Sequence, residues 1–188
     1  MPSNSADPAG PSNAELLAAA VRGEAEAWNG IVQRFGRLVW SVARTFELPA
    51  GDAADLSQTV WLRLVEHMDQ IKEPERLGSW LATTTRREGI RLLRKRSVEI
   101  PDELQDEQSD QGKDGPEEKV LVADEYAQLR DALDKLPERC RKLLRVIAAS
   151  DTANYSEVAA ALDMPVGSIG PTRSRCLERL RTQYTQPS

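Results

Sequence analysis

The residues best equipped for chemistry in this chain are arginines, and their setting points to nucleic acid rather than to catalysis. Arg173 and Arg175 flank Ser174 directly after Thr172, in a segment that Ser168 opens. A guanidinium pairs bidentately with O6 and N7 of guanine, while short hydroxyl side chains reach phosphates or base edges. The segment follows an Ala-rich stretch, Tyr155 to Leu162, and a turn over Asp163-Met-Pro-Val-Gly167. That is the layout of a helix-turn-helix, whose second helix lies in the DNA major groove. Such a motif needs a small residue at the crossing, a residue tolerant of positive φ in the turn and a β-branched anchor; Ala160, Asp163 and Ile169 supply them. With Ser168 as N-cap, Ile169, Gly170 and Pro171 form the first turn, where the missing proline donor costs little. The competing reading is a helical hairpin whose arginines form a solvated face.

A second basic cluster lies upstream. Between Arg86 and Arg96 there are Arg86, Arg87, Arg91, Arg94, Lys95 and Arg96 against one acid, Glu88. From Glu99 to Glu118 nine acids stand against Lys113. The net charge of −5 therefore conceals a phosphate-attracting stretch and a phosphate-repelling one. Little else supports chemistry. His67 is the only histidine and reads as a surface residue, no convergent carboxylate pair or Gly-rich phosphate loop is recognised, and an enzyme is not expected. Cys140 and Cys176 are far apart, without a CxxC or a histidine neighbour, and read as small core residues rather than as a disulfide framework or metal site. No cofactor is implied. Neither a signal peptide nor an apolar run of spanning length occurs, so no membrane insertion and a cytoplasmic location are expected.

The elements that would position these residues are all helical, and an all-α fold of two small domains follows. Only 5% of the residues are aromatic, too few for one large core. Residues 1–12 read as a disordered tail ending at the capping box Ser12-x-x-Glu15. An apolar stripe (Leu17, Ala20, Val21, Trp28, Ile31, Val32, Phe35) continues in a second segment through Leu38, Val39, Val42, Ala43 and Phe46. After Pro49-Ala-Gly51, Asp52 or Asp55 opens a helix with Leu56, Val60, Leu64, Met68 and Ile71 inward, Trp61 and Val65 beside them, and Asp55, Gln58, Thr59, Arg63 and Glu66 outward. A fourth helix from Glu75 to Arg96 has Trp80, Leu81, Thr84, Ile90 and Leu93 as its seam and leaves the core as a basic stub. Residues 13–96 thus form a first module and 97–116 a flexible acidic linker, with Pro116 at the start of the next helix. The second module, 117–184, has an apolar face of Val122, Tyr126, Leu129, Leu133 and Leu136. Pro137 then starts a helix with Leu143, Leu144 and Ile147 inward and Arg139, Arg141, Lys142 and Arg145 largely outward, and a turn from Ser150 to Asn154 precedes the helix-turn-helix.

Read together, these pieces resemble an extracytoplasmic-function sigma factor, a dissociable promoter-specificity subunit of RNA polymerase in the sigma-70 family. The resemblance covers roughly Glu15 to Gln183. It is carried by Asp55-Leu-Ser-Gln-Thr-Val-Trp-Leu-Arg-Leu64, by Ser79-Trp80-Leu81 with the arginines after it, by Ala132-Leu-Asp-Lys-Leu-Pro-Glu-Arg-Cys-Arg141, and by Tyr155-Ser-Glu-Val-Ala159 with Pro165-Val-Gly-Ser168. It implies that Asp55, Gln58, Thr59, Leu62 and Arg63 dock on the clamp coiled coil of the largest polymerase subunit. Trp80, Thr83, Arg86, Arg87, Arg91 and Arg94 would meet the minus-ten promoter element, with the loop from Lys72 to Ser79 forming part of a base pocket. Ser168, Thr172, Arg173, Ser174, Arg175 and Arg179 would read the minus-thirty-five element. Opening a duplex costs about 1.4 kcal/mol per stacked step, so capture of unpaired bases must offset it and the polymerase must take part. The implied partners are core polymerase, clamp coiled coil and flap, together with promoter DNA; an anti-sigma partner packed between the modules is common in the family. The chain departs from the family at Arg87 and Arg91, where Asn and Asp are usual, and at Gly170, near which a basic residue is usual. The alternative is a free-standing helix-turn-helix regulator that binds duplex DNA without polymerase.

Overall fold

A computed structural model describes residues 10–99, 120–149 and 154–185, which form eight α-helices and two short 3-10 turns, with no strand among the described residues. Helix α1 (Asn13–Val21) opens on the expected capping box: the Ser12 hydroxyl accepts from the Glu15 amide while the Glu15 carboxylate accepts from the Ser12 amide. This arrangement holds the Glu15 carboxyl below its ordinary pKa. The stripe expected to run unbroken to Phe35 is interrupted at Gly23, which takes φ of +86° and lets the chain turn into α2 (Ala25–Arg44). Conversely, no break separates Phe35 from Leu38, because α2 buries Ile31, Phe35, Leu38, Val39 and Val42 along one continuous face.

Helix α3 (Ala50–His67) begins at Ala50 with Pro49 as N-cap, so Asp52 sits in its first turn rather than capping it. Its buried residues are Ala53, Leu56, Val60 and Leu64, and Trp61 meets Trp28 of α2 edge to face with centroids 6.1 Å apart. Val65, expected beside the core, is exposed, as is Val21. A 3-10 turn, Pro74–Arg76, leads into α4 (Leu77–Glu99). The inner face of α4 is Leu77, Leu81, Ala82 and Thr85, not the expected Thr84 and Leu93, the latter being exposed. Thr85 is tolerated inside because its hydroxyl donates to the Leu81 carbonyl at 2.8 Å. Gly89 is required where α4 meets Phe46: a Cβ there would lie 2.4 Å from the ring. The end of α4 is tied back by Arg96, whose guanidinium lies 2.6 Å from the Asp52 carboxylate, so it is less of a free stub than the charge run suggests.

The second half comprises α5 (Val120–Asp134), α6 (Glu138–Ala149), α7 (Tyr155–Leu162) and α8 (Val166–Tyr184). The expected linker beyond Glu99, the Pro116 start, the side chains of Val122 and Tyr126, and most of the Ser150–Asn154 turn lie outside the described residues; Asn154 caps α7 by accepting from the Ser156 amide. Asp163 takes the left-handed conformation expected of it, with φ of 55° and ψ of 48°. Ile169 is fully buried. Helix α8, however, begins at Val166 with Pro165 as N-cap, and the Ser168 hydroxyl donates to the Pro165 carbonyl at 2.8 Å instead of capping. Pro171 therefore lies inside the helix. The Gly167 carbonyl that loses its partner belongs to an exposed residue, where water replaces the bond.

Cys140 of α6 and Cys176 of α8 are buried, as expected of core residues, but they are also joined by a disulfide across 36 positions. Their separation and isolation in sequence carry no sign of this, because only the crossing of α6 and α8 brings them together. Arg141 and Arg145, expected largely outward, reach across to the first half. Arg145 donates to the Arg44 carbonyl at 2.9 Å, and Arg141 donates to the Glu47 carboxylate at 3.3 Å. Burial, with the Arg44 charge beside it, lowers the Arg145 pKa. The buried residues, from Leu16 to Cys176, form one continuous cluster spanning both halves.

Candidate nucleic-acid interface

The exposed side of α4 carries a stripe of basic residues. Thr83, Arg87, Arg91 and Arg94 recur at spacings that place them on one stripe, opposite the buried Leu77, Leu81 and Thr85. Arg87, Arg91 and Arg94 are exposed, Thr83 is half-buried, and Trp80 is half-buried with part of its ring against the core. Arg91 lies 3.6 Å from Glu88, which also meets Arg63 of α3 at 3.5 Å. Arg86 lies to one side of the stripe and turns inward, its Nη1 donating to the Asp163 carboxylate at 3.1 Å. The arrangement offers three guanidinium groups and a half-buried indole along a single helix, groups chemically able to pair with phosphates and to stack on a base.

On α8, Ser174, Arg175 and Arg179 are exposed and Arg173 is half-buried, its Nη1 3.3 Å from the Tyr155 hydroxyl of α7. Arg175 bonds back to the Pro171 carbonyl at 3.3 Å. Thr172, expected on the reading face, is only 8% exposed: with the helix starting at Val166, Ile169, Thr172 and Cys176 fall on its inner side. Of the residues expected to meet DNA on α8, Ser174, Arg175 and Arg179 stand exposed, while Ser168 and Arg173 are half-buried.

A third surface is the outer face of α3. Asp55, Gln58 and Leu62 are exposed and Thr59 is half-buried, its hydroxyl donating to the Asp55 carbonyl at 2.9 Å. Leu62 is 57% exposed and Val65 48%, so two large apolar side chains stand uncovered among polar ones. Arg63 donates to Glu66 at 2.9 Å, which raises its pKa, with Glu88 adding to the effect. His67, whose Nδ1 lies 2.9 Å from the Arg63 carbonyl, is exposed. The exposure of Val65 is not legible in sequence, because its position reads as a flank of the apolar stripe.

Residues 31–98 match the family described as Sigma-70 region 2. The ECF RNA polymerase sigma factor EcfG of Rhodopseudomonas palustris (strain TIE-1) is 30% identical over 138 residues, covering 70% of each protein. The chain belongs to the ECF RNA polymerase sigma factors. RNA polymerase sigma factor NccH of Alcaligenes xylosoxydans xylosoxydans is 25% identical over 175 residues, covering 90% of this chain and 94% of the relative. The ECF RNA polymerase sigma-E factor of Escherichia coli (strain K12) is 24% identical over 157 residues, covering 79% and 81%. Among solved structures, the sigma factor RpoE of Bartonella quintana, in complex with the anti-sigma factor NepR, shares the fold at a TM-score of 0.63 and 21% identity, covering 86% of this chain and 98% of that one. CnrH in complex with the cytosolic domain of CnrY does so at 0.54 and 21%, covering 89% and 93%. As a sigma factor the chain serves transcription initiation, and sigma factors are in general regulatory subunits rather than enzymes. No helix among the described residues is long and apolar enough to cross a membrane.

Proposed function

We propose that this sigma factor docks on the clamp coiled coil of core RNA polymerase through Asp55, Gln58, Thr59, Leu62 and Arg63, captures the minus-ten element with α4, and reads the minus-thirty-five element with α8. The observation that carries the reading is the α4 stripe, where Thr83, Arg87, Arg91 and Arg94 share the face opposite the core residues Leu77, Leu81 and Thr85. A helix anchored so firmly on one side can hold its arginines in register with a strand. Trp80, at the edge of that stripe, offers a stacking surface to an unpaired base. On α8, Arg173, Ser174, Arg175 and Arg179 approach base edges and backbone, and the inward Thr172 sets the helix angle instead of touching DNA. Leu62 and Val65 give α3 the apolar anchors that helix-on-helix docking needs.

In this reading residues 13–96 and 117–184 act as separate modules joined by 97–116, the factor works in the cytoplasm, and it brings no catalytic step of its own. An anti-sigma partner, of the kind the Bartonella quintana RpoE carries in its complex, belongs to the same proposal. The test is runoff transcription with purified core polymerase on a duplex promoter and on the same promoter with its minus-ten region pre-melted, using wild type and Arg87→Ala/Arg91→Ala/Arg94→Ala. The expected result is loss of transcripts from both templates, since strand capture is removed along with any aid to melting. Wild-type yields from the triple variant would contradict the assignment of α4.

A further inference from the structure

The outward side of α8 divides by charge in a way that its arginines alone do not show. Helical spacing places Gly167, Pro171, Ser174 and Glu178, all exposed, along one line opposite the buried Ile169, Thr172 and Cys176. That line would reach deepest into a groove, and it carries no cation. The arginines flank it and are drawn aside: Arg173 donates to the Tyr155 hydroxyl of α7, while the Nε of Arg175 donates to the Pro171 carbonyl and folds its guanidinium back along the helix. The second helix of a helix-turn-helix reads bases with its first residues. Between Val166 and Arg175 the exposed apolar side chains are Val166 and Pro171, and by its spacing only Pro171 lies on the central line. Pro171 removes a helical bond to the Gly167 carbonyl and, being exposed, adds nothing to the core. One turn before it, Gly167 leaves the ring open on that side, since a Cβ there would meet nothing within 4 Å. Two turns beyond Pro171, the Glu178 carboxylate repels phosphates, so contact with a duplex concentrates around Pro171 and Ser174.

We infer that Pro171 is a specificity-determining residue of α8: its ring packs on the 5-methyl group of a thymine in the major groove of the minus-thirty-five element. The inference rests on α8 being the helix that reads that element. The chemistry of the ring selects the methyl. A proline side chain has neither donor nor acceptor, its nitrogen carries no hydrogen, and its carbonyl is engaged by Arg175. In the major groove the base pairs present hydrogen-bond donors and acceptors, and the thymine methyl is the one apolar group in that code. Against an edge of guanine, adenine or cytosine the ring would exclude water from a polar group and supply no bond in its place, so the wrong base is actively disfavoured. Against thymine it buries a methyl group on methylenes. Because the ring is rigid, no rotamer freedom is lost on contact.

The test uses the holoenzyme on a duplex promoter that the wild type transcribes. Each thymine of the minus-thirty-five element, on either strand, is replaced in turn by deoxyuridine, which removes the methyl and changes no hydrogen-bonding group. Runoff yield at limiting holoenzyme is read as the ratio of thymine to deoxyuridine template at each position. Wild type is expected to lose roughly fourfold at one thymine, the effect of one apolar carbon group leaving a buried contact. Pro171→Ser, which removes the ring from an exposed position, is expected to transcribe the thymine template less well and to give a ratio near one at that same position. The ratio is taken within one protein, so a general loss of activity in the variant leaves it readable. If no thymine shows the loss in wild type, or if the loss persists unchanged in Pro171→Ser, as it would were Val166 the contact, the proposal is overturned. An element with no thymine on either strand overturns it as well. A template with the whole element scrambled separates this inference from the assignment of α8. Unchanged wild-type yield there takes α8 off the element and this inference with it, whereas a lost yield without any response to deoxyuridine removes Pro171 alone.

Discussion

Arg173 and Arg175 sit on neighbouring parts of α8 with different partners, Arg173 leaning on the Tyr155 hydroxyl and Arg175 folding back on the Pro171 carbonyl. Neither is locked by a carboxylate in these contacts, so each guanidinium can trade a neutral bond for a base edge. Replacing either by alanine is expected to lower transcription from a duplex promoter by roughly 1–3 kcal/mol per lost base contact, about five- to 150-fold. Runoff assays on matched promoters check it, and wild-type yields from both variants would take these arginines off the reading face. Glu157 carries a pH prediction. Burial raises its pKa above the ordinary 4.5, an effect that the Asn154 amide donation partly offsets. A raised folded pKa means that the folded state favours the protonated form, so this contribution to stability is fully present at low pH and is lost as pH rises through the folded value. Glu157→Gln stays neutral throughout. The stability difference between wild type and this variant, from denaturation midpoints between about pH 4 and 7, should therefore move against wild type as pH rises; a flat or opposite trend would contradict the assignment. At this scale the sequence was informative where a residue type is demanded locally, as at Ser12, Asp163 and Ile169, and silent where a partner comes from far away, as for Arg86 with Asp163.

Helices α6 and α8 show what binds the reading element to its support. They cross at Cys140 and Cys176, and closing a loop of 36 residues is expected to contribute about 4 kcal/mol by restricting the unfolded chain. Cys140→Ser/Cys176→Ser should thus unfold at lower denaturant than the oxidised wild type, and reduced wild type should fall between or join it; identical midpoints would show that the bond is not formed in solution. Helix α3 carries a second prediction. Asp55 and Gln58 are exposed beside the uncovered Leu62, so Asp55→Ala/Gln58→Ala should weaken association with core polymerase while leaving helicity unchanged. Normal co-purification with the polymerase would contradict that role. Element identities were largely legible, because apolar spacing along α2 and α3 repeats with the helical period. Boundaries were less so: Gly23 looks like one residue in a helical run until its positive φ is seen, and Ser168 looks like an N-cap although α8 starts at Val166. Thr172 points inward because it lies three residues after the buried Ile169 and four before the buried Cys176, a spacing that outweighs its place beside Arg173.

Across the whole molecule, one buried cluster extends from α1 to α8, and the second half rests on α2 and α4. The basic and acidic blocks marked a stretch that attracts phosphates and one that repels them, but no local pattern could tell that α7 would lie on α4, because that contact brings Gly78 to Glu157 and Arg86 to Asp163 across more than 70 positions. The most direct test is runoff transcription with purified core polymerase across a genomic promoter pool, with and without the protein. The account predicts transcripts that require both components and share two spaced sequence elements, with Arg87→Ala/Arg91→Ala failing at the downstream element and Arg173→Ala/Arg175→Ala at the upstream one. Transcripts indifferent to the protein, while the protein alone holds duplex DNA, would contradict it.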